Sequence, residues 1–123
     1  MEENINILIK EKSDKGVLRL IMNNADQKNP LSESMMSMLM EEIKGASSDQ
    51  SIRVIVLAAT GNVFSSGHDL KELKDSRKGA DKGKKYFLKI MKKCSKMMQT
   101  IIKKIFKINF SVIFALPCGR YFF

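Results

Sequence analysis

The side chains best equipped for chemistry gather in one short stretch, Ser65-Ser66-Gly67-His68-Asp69, with Leu70, Lys71 and Glu72 just beyond it. His68 is the single histidine, and an imidazole that titrates near neutral pH is able to relay protons. Asp69 offers a carboxylate for acid–base work, although an acidic residue at a helix start is better read as a cap on the first backbone N–H groups. Gly67 and the small residues before it would let a ligand approach the backbone, and N–H groups beside a helix start are able to hold an oxyanion. Taken alone, the pattern reads first as a tight strand-to-helix turn. The two cysteines, Cys94 and Cys118, make no CxxC pair and fit no zinc spacing. Cys94 falls on an apolar helical stripe and reads as a small core residue, and cysteine usage this sparse points to a reducing compartment.

The elements that must position this stretch follow from hydrophobic period. Ile5 to Lys10 and Gly16 to Met22 are β-branched runs around a polar turn, which predicts a hairpin. Residues 23–30 form a loop. Ser32 then caps a helix whose apolar positions Met35, Met36, Leu39, Met40 and Ile43 recur every three or four residues and which ends near Gly45. Ile52 to Ala59 is nearly continuous in apolar residues, as in a strand of a parallel sheet buried on both faces. Between Gly83 and Ile105 an apolar stripe (Tyr86, Phe87, Ile90, Met91, Cys94, Met97, Met98, Ile101, Ile102, Ile105) is backed by eight lysines. That helix is read as packing its stripe on the core, with the lysines in water. Phe110 to Leu116 is one more expected strand. The order strand, strand, helix, strand, helix, strand predicts an α/β domain.

With 123 residues, 44% of them hydrophobic and 28% charged, the chain has the size of one ordinary domain and too little length for two. Its net charge of +9 is lopsided: residues 1–70 hold 7 basic against 10 acidic side chains, and residues 71–123 hold 15 against 3. The second part would attract a polyanion such as nucleic acid, an anionic membrane or a phosphorylated small molecule. The N-terminus shows no secretory or organelle-import pattern. The longest apolar run, Phe110 to Pro117, is less than half of the ~20 residues of a membrane-spanning helix, so no transmembrane segment is expected.

Val54-Ile55-Val56-Leu57, then Gly61, then Phe64-Ser65-Ser66-Gly67-His68-Asp69-Leu70-Lys71-Glu72-Leu73, resembles the first signature of the enoyl-CoA hydratase/isomerase (crotonase) superfamily. Upstream, Asn29-Pro30-Leu31-Ser32 is similar to the family segment that follows its opening hairpin. The wording of residues 64–73, with 93–98 downstream, is most similar to the enoyl-CoA hydratase domain-containing branch associated with mitochondria. The resemblance covers residues 5–105. It implies the N-terminal part of a crotonase-like fold over residues 1–105, followed by a divergent hydrophobic tail over 106–123.

The same resemblance implies a function in acyl-CoA and fatty acid metabolism. Family members polarise a thioester carbonyl with two backbone N–H groups, and the first of these corresponds to the amide of His68. Ser66, Gly67, His68, Asp69, Leu70 and Lys71 correspond to the segment that cradles coenzyme A. The His68 side chain is then incidental, since the family uses this position's backbone. The implied ligand is a coenzyme A thioester as substrate, with no separate cofactor, no metal and no nucleic acid. The family assembles as trimers or hexamers through elements expected to be missing here. After Ile105 the sequence departs from the family pattern, so the second N–H donor and the catalytic carboxylates are expected to be absent, with no catalytic residue to assign. The ending reads as a replaced or truncated terminus, and exposed sheet edges and an uncovered stripe are expected to make the product marginal. The branch implies mitochondria, while the absence of a visible import signal leaves the cytoplasm open. A second class of function also stays open, a non-enzymatic module whose basic helix binds anionic membrane, nucleic acid or a partner protein.

Overall fold

Strand β2 (Val17–Met22) buries Leu18, Leu20 and Met22 and turns Val17, Arg19 and Ile21 the other way, as the period of two demands. It pairs antiparallel with β1 (Leu8–Lys12) and parallel with β3 (Val54–Ala59), in the register Leu18 to Ile55 and Leu20 to Leu57. Strand β4 (Ser111–Ala115) lies parallel on the far side of β3, and β5 (Tyr121–Phe122) closes the order β1-β2-β3-β4-β5. This computed structural model describes residues 6–105, 111–115 and 121–122.

Each parallel pair needs a crossover, and the helices supply it. Helix α1 (Glu33–Ser48) links β2 to β3, while α2 (Leu70–Ser76) and α3 (Lys84–Ile105) together link β3 to β4. Ser32 caps α1 as expected, its Oγ accepting the Met35 N–H at 3.1 Å. Met35, Met36, Leu39, Ile43 and Ala46 are buried on the sheet side, where Ile90, Met97 and Ile101 of α3 join Leu18, Leu20, Ile55 and Leu57 in one core. A tight approach holds the hairpin to the start of β3. Gly16 lies at φ +83, and a Cβ there would stand 2.6 Å from the Ser51 carbonyl oxygen. Its own carbonyl accepts the Arg53 N–H at 2.7 Å.

Several expectations need correction. The first hairpin strand lies at Leu8–Lys12 rather than at Ile5 to Lys10, and the second starts at Val17 rather than Gly16, because the turn takes residues 13–16. Helix α1 does not stop near Gly45 but runs on to Ser48, since burying Ala46 offsets a solvent-facing glycine. The helix-facing side of β3 is sealed by Ile55 and Leu57, whereas on the other face Ala58 is buried and Val54 and Val56 are only half-buried. The expected element order has one helix between β3 and the last strand; the helix start read at Asp69 is a separate short helix, α2, and the chain breaks at 77–83 before α3. Among the described residues the far edge of β3 is not left open, because β4 pairs along it. Of the α3 stripe, Phe87, Met98 and Ile102 remain about half exposed. Phe110 and Leu116, the ends of the expected last strand, lie outside the described residues.

Candidate functional site

Because β2 and β3 are neighbours and parallel, the loops that follow them leave the same sheet edge and run side by side. Asn29 stitches them together. Its side chain is fully buried, and an unpaired amide there would cost ~1–3 kcal/mol per lost partner. Both donors and the oxygen are used: Oδ1 accepts the Asn24 N–H at 2.8 Å, while Nδ2 donates to the carbonyls of Thr60 and Val63, both at 2.9 Å. Lys28 and Asn29 both sit in the left-handed region, at φ 61 and 50. This strain, of order 1 kcal/mol or more each, persists only where surrounding bonds over-determine it.

The rest of the seam is backbone. The Ser66 N–H donates to Lys28 O at 2.9 Å, the Ser65 hydroxyl donates to Asn29 O at 2.7 Å, and the Leu31 N–H donates to Gly67 O at 2.7 Å. Leu31 and His68 thereby form a one-residue parallel bridge. Every described peptide bond is trans, so the carbonyl of Gly67 and the N–H of His68 point in opposite directions. With the carbonyl turned onto Leu31, the His68 N–H is aimed away from it, and among the described residues it meets no acceptor. Gly67 itself is at φ +89, a conformation that favours glycine, and a Cβ built on it would meet nothing within 4 Å. The space over this backbone is open.

The predicted site residues are therefore brought together, but with unequal duties. Ser66 is exposed and contributes its amide to the seam. Asp69 caps α2, its Oδ1 accepting the Lys71 and Glu72 N–H groups at 2.9 and 3.2 Å. Leu70 stands 76% exposed, and Lys71 is exposed beside it. The imidazole of His68 is half-buried, with Nε2 shut off from solvent and no partner among the described residues. A nitrogen in that position is badly placed to relay protons.

Sequence reasoning missed the pieces that hold this loop in place. Asn29 stands in the loop and in the segment similar to the family's, but its bonding role is not legible there, because its partners 31 and 34 residues away carry no local signature. A second brace was also missed. The Glu72 carboxylate reaches back to the first turn of α1, where Oε2 accepts the Glu33 N–H at 3.0 Å. The Tyr86 hydroxyl lies 3.2 Å from Glu33 Oε2 and 3.4 Å from Glu72 Oε2, and Lys89 Nζ pairs with Glu33 Oε1 at 2.7 Å. Lys93 approaches the same oxygen at 3.8 Å, so two of the lysines read as facing water are turned onto Glu33. The Lys89 bond holds the Glu33 carboxyl below its usual range. Burial, together with the Glu72 charge, pushes the Tyr86 hydroxyl up to about 12.

Behind the loop lies an apolar cavity of about 180 Å³ between sheet and helices, walled by Leu20, Leu57, Leu39, Ile101, Phe64 and Ser65. A dry cavity of that order accepts a small hydrocarbon.

The sequence profile of the enoyl-CoA hydratase/isomerase family matches residues 12–113. Enoyl-CoA hydratase domain-containing protein 3, mitochondrial, from Xenopus laevis is 43% identical over 83 residues, which is 68% of this chain and 26% of that protein. The human protein of the same name is 35% identical over 86 residues, 70% of this chain and 27% of its own length. Among solved structures, an enoyl-CoA hydratase from Mycobacterium smegmatis superimposes with a TM-score of 0.77 at 32% identity, covering 89% of this chain and 39% of that one. Human enoyl-CoA hydratase domain-containing protein 3 gives a TM-score of 0.67 at 30% identity, over 78% and 36% of the two chains. The chain thus spans about a quarter of the length of the curated relatives it matches.

Proposed function

This chain belongs to the enoyl-CoA hydratase/isomerase family, and from that premise we propose that it binds a coenzyme A thioester through the amide of His68. The observation that carries the reading is the direction of that amide. It is turned away from Leu31 by the Gly67 carbonyl and lacks an acceptor among the described residues, and a Cβ on the neighbouring Gly67 would meet nothing within 4 Å. A preorganised N–H of this kind, held by a stitched seam rather than by a mobile loop, stabilises negative charge developing on a carbonyl oxygen; comparable donors are worth ~3–4 kcal/mol in a transition state.

Ser66, Gly67, Asp69, Leu70 and Lys71 are proposed to line the coenzyme A path on either side of that amide. No separate cofactor enters the proposal, since the thioester is itself the substrate. Binding and polarisation are proposed rather than complete catalysis by the described residues. The two carboxylates closest in sequence to His68 are already committed, Asp69 to the α2 cap and Glu72 to the Glu33 amide and Tyr86. Supporting the choice of ligand, the matched family and the named relatives are enoyl-CoA hydratases or their domain-containing relatives. Several of those relatives are mitochondrial by name, and mitochondrial acyl-CoA metabolism is the proposed setting.

Calorimetric titration of the folded chain with a medium-chain acyl-CoA tests the proposal, with Gly67→Pro as the control. Proline is restricted to φ near −65° and is excluded from the observed +89°. Binding by the parent and its loss in the variant are the expected results. Equal heats for both, or none from a parent with intact helical circular dichroism, would overturn the reading.

A further inference from the structure

The corner where α2 turns into α3 has a different character from the seam, and its charges are unevenly spent. Each of its three acidic side chains is engaged by a partner within the chain. Glu72 serves the Glu33 amide, Asp75 pairs with Lys78 at 3.4 Å, and Asp81 caps α3 by accepting the Gly83 and Lys85 N–H groups at 3.0 and 2.9 Å. Lys71, Lys74, Arg77, Lys82 and Lys84 make no ion pair among the described residues. Between these cations the corner exposes Leu70 at 76% and Phe87 at 49%, and Leu88, the next residue of α3, is 49% exposed. Leu70, Leu73 and Phe87 floor an open cleft of about 560 Å³ whose rim carries Lys74, Arg77, Lys82 and Lys84.

Unpaired cations ringing exposed leucine and phenylalanine are what a surface needs to sit in the headgroup layer of an anionic bilayer. The cations meet lipid phosphates and carboxylates, while the apolar tips reach the acyl boundary. A nucleic acid would use the cations but would leave Leu70 and Leu88 without a favourable partner, since neither stacks on a base. No described helix is long and apolar enough to cross a membrane, so the contact is interfacial. We propose that the α2–α3 corner, with its cationic rim and its exposed Leu70, Phe87 and Leu88, docks on anionic membrane surfaces. Leu70 and Lys71 are shared with the proposed coenzyme A path, so the docking is tested at Lys84 and Phe87, which that path does not use.

The test is co-sedimentation of the whole chain with vesicles of phosphatidylcholine alone and of phosphatidylcholine containing about one-third phosphatidylserine, at about 0.1 M and about 1 M salt. Expected is binding to the anionic vesicles that exceeds binding to neutral ones by roughly tenfold at the lower salt and largely disappears at the higher. Lys84→Glu, which places an acid where a helix start tolerates it, should weaken that binding by about tenfold, and Phe87→Ser should weaken it at the lower salt without any change of charge. Lys15→Glu makes the same charge change in the distant hairpin turn and should leave binding within about twofold. Equal loss in Lys84→Glu and Lys15→Glu would show that net charge and not the corner is responsible, and would overturn the proposal. So would equal binding to neutral vesicles, no binding by the folded chain, or displacement from the vesicles by duplex DNA at equal charge.

Discussion

The two loops joined by Asn29 and the corner between α2 and α3 are a few residues apart in the chain and treat polar groups in opposite ways. In the seam, a buried amide meets three partners, two residues accept left-handed backbone, and the His68 amide has no acceptor among the described residues. In the corner, Glu72 and Asp81 are spent on helix starts, Asp75 on Lys78, and five cations are left over among the described residues. A donor left free beside a fully buried, bonded amide is preorganised for a particular atom. By contrast, a place where many like charges are left free beside apolar side chains is suited to a surface.

The contrast is most sharply broken at Asn29. Replacing it with alanine leaves the Asn24 N–H and the Thr60 and Val63 carbonyls without their partner, and should cost about 3 kcal/mol or more in chemical denaturation and abolish acyl-CoA binding. A loss under about 1 kcal/mol would mean that water replaces the amide and that the seam is not rigid.

The brace between the two regions is next in size. Glu72→Ala removes the acceptor of the Glu33 N–H and a neighbour of Tyr86, and should lower stability by about 1–2 kcal/mol while loosening α2 in amide hydrogen exchange. The same brace sets an alkaline limit. Tyr86 is held at about 12 in the folded chain against an ordinary 10.0, so stabilisation that is complete below pH 10 should drain away as pH rises from 10 to 12. Thermal unfolding across that range should show a decline that Tyr86→Phe lacks. At the acid end the sign is reversed. Glu33 is held below its usual 4.5, so its contribution is present above that value and is lost as pH falls through the lowered one.

The smallest effect expected is at His68. Removing a half-buried imidazole whose Nε2 has no partner among the described residues should change stability by less than about 0.5 kcal/mol in His68→Ala, with acyl-CoA binding kept within about threefold. A large loss of binding in that variant would transfer the role from the backbone to the ring. Lys84→Glu should be equally silent in stability, which would confirm the corner as surface rather than scaffold.

Some of this architecture was legible in advance because it depends on neighbours in the chain. Ser32 and Asp69 each bond amides two or three residues ahead, and such caps follow from residue type at a fixed spacing. The β-branched runs of β2 and β3 and the three-and-four spacing of α1 are equally local. Burial on both faces of β3 was over-read, since an unbroken apolar run tells how much of a strand prefers to be covered but not what there is to cover it. The corner's cations were visible as composition. Which of them would be neutralised was not, because Lys89 and Lys93 find Glu33 only when α3 packs beside α1.

By itself, then, the sequence determined the local units: the hairpin, the capped helices, the glycine at position 67 and the acid that starts α2. The tertiary structure alone decided what those units mean for chemistry. Laying β2 parallel to β3 brings residues 28–31 against 65–68, buries Asn29 where three groups need it, and turns the Gly67 carbonyl onto Leu31. The planarity of a trans peptide does the rest, sending the His68 N–H the opposite way. A donor's direction is set by the partner of the carbonyl before it. Here that partner lies more than thirty residues away, beyond the reach of any local pattern.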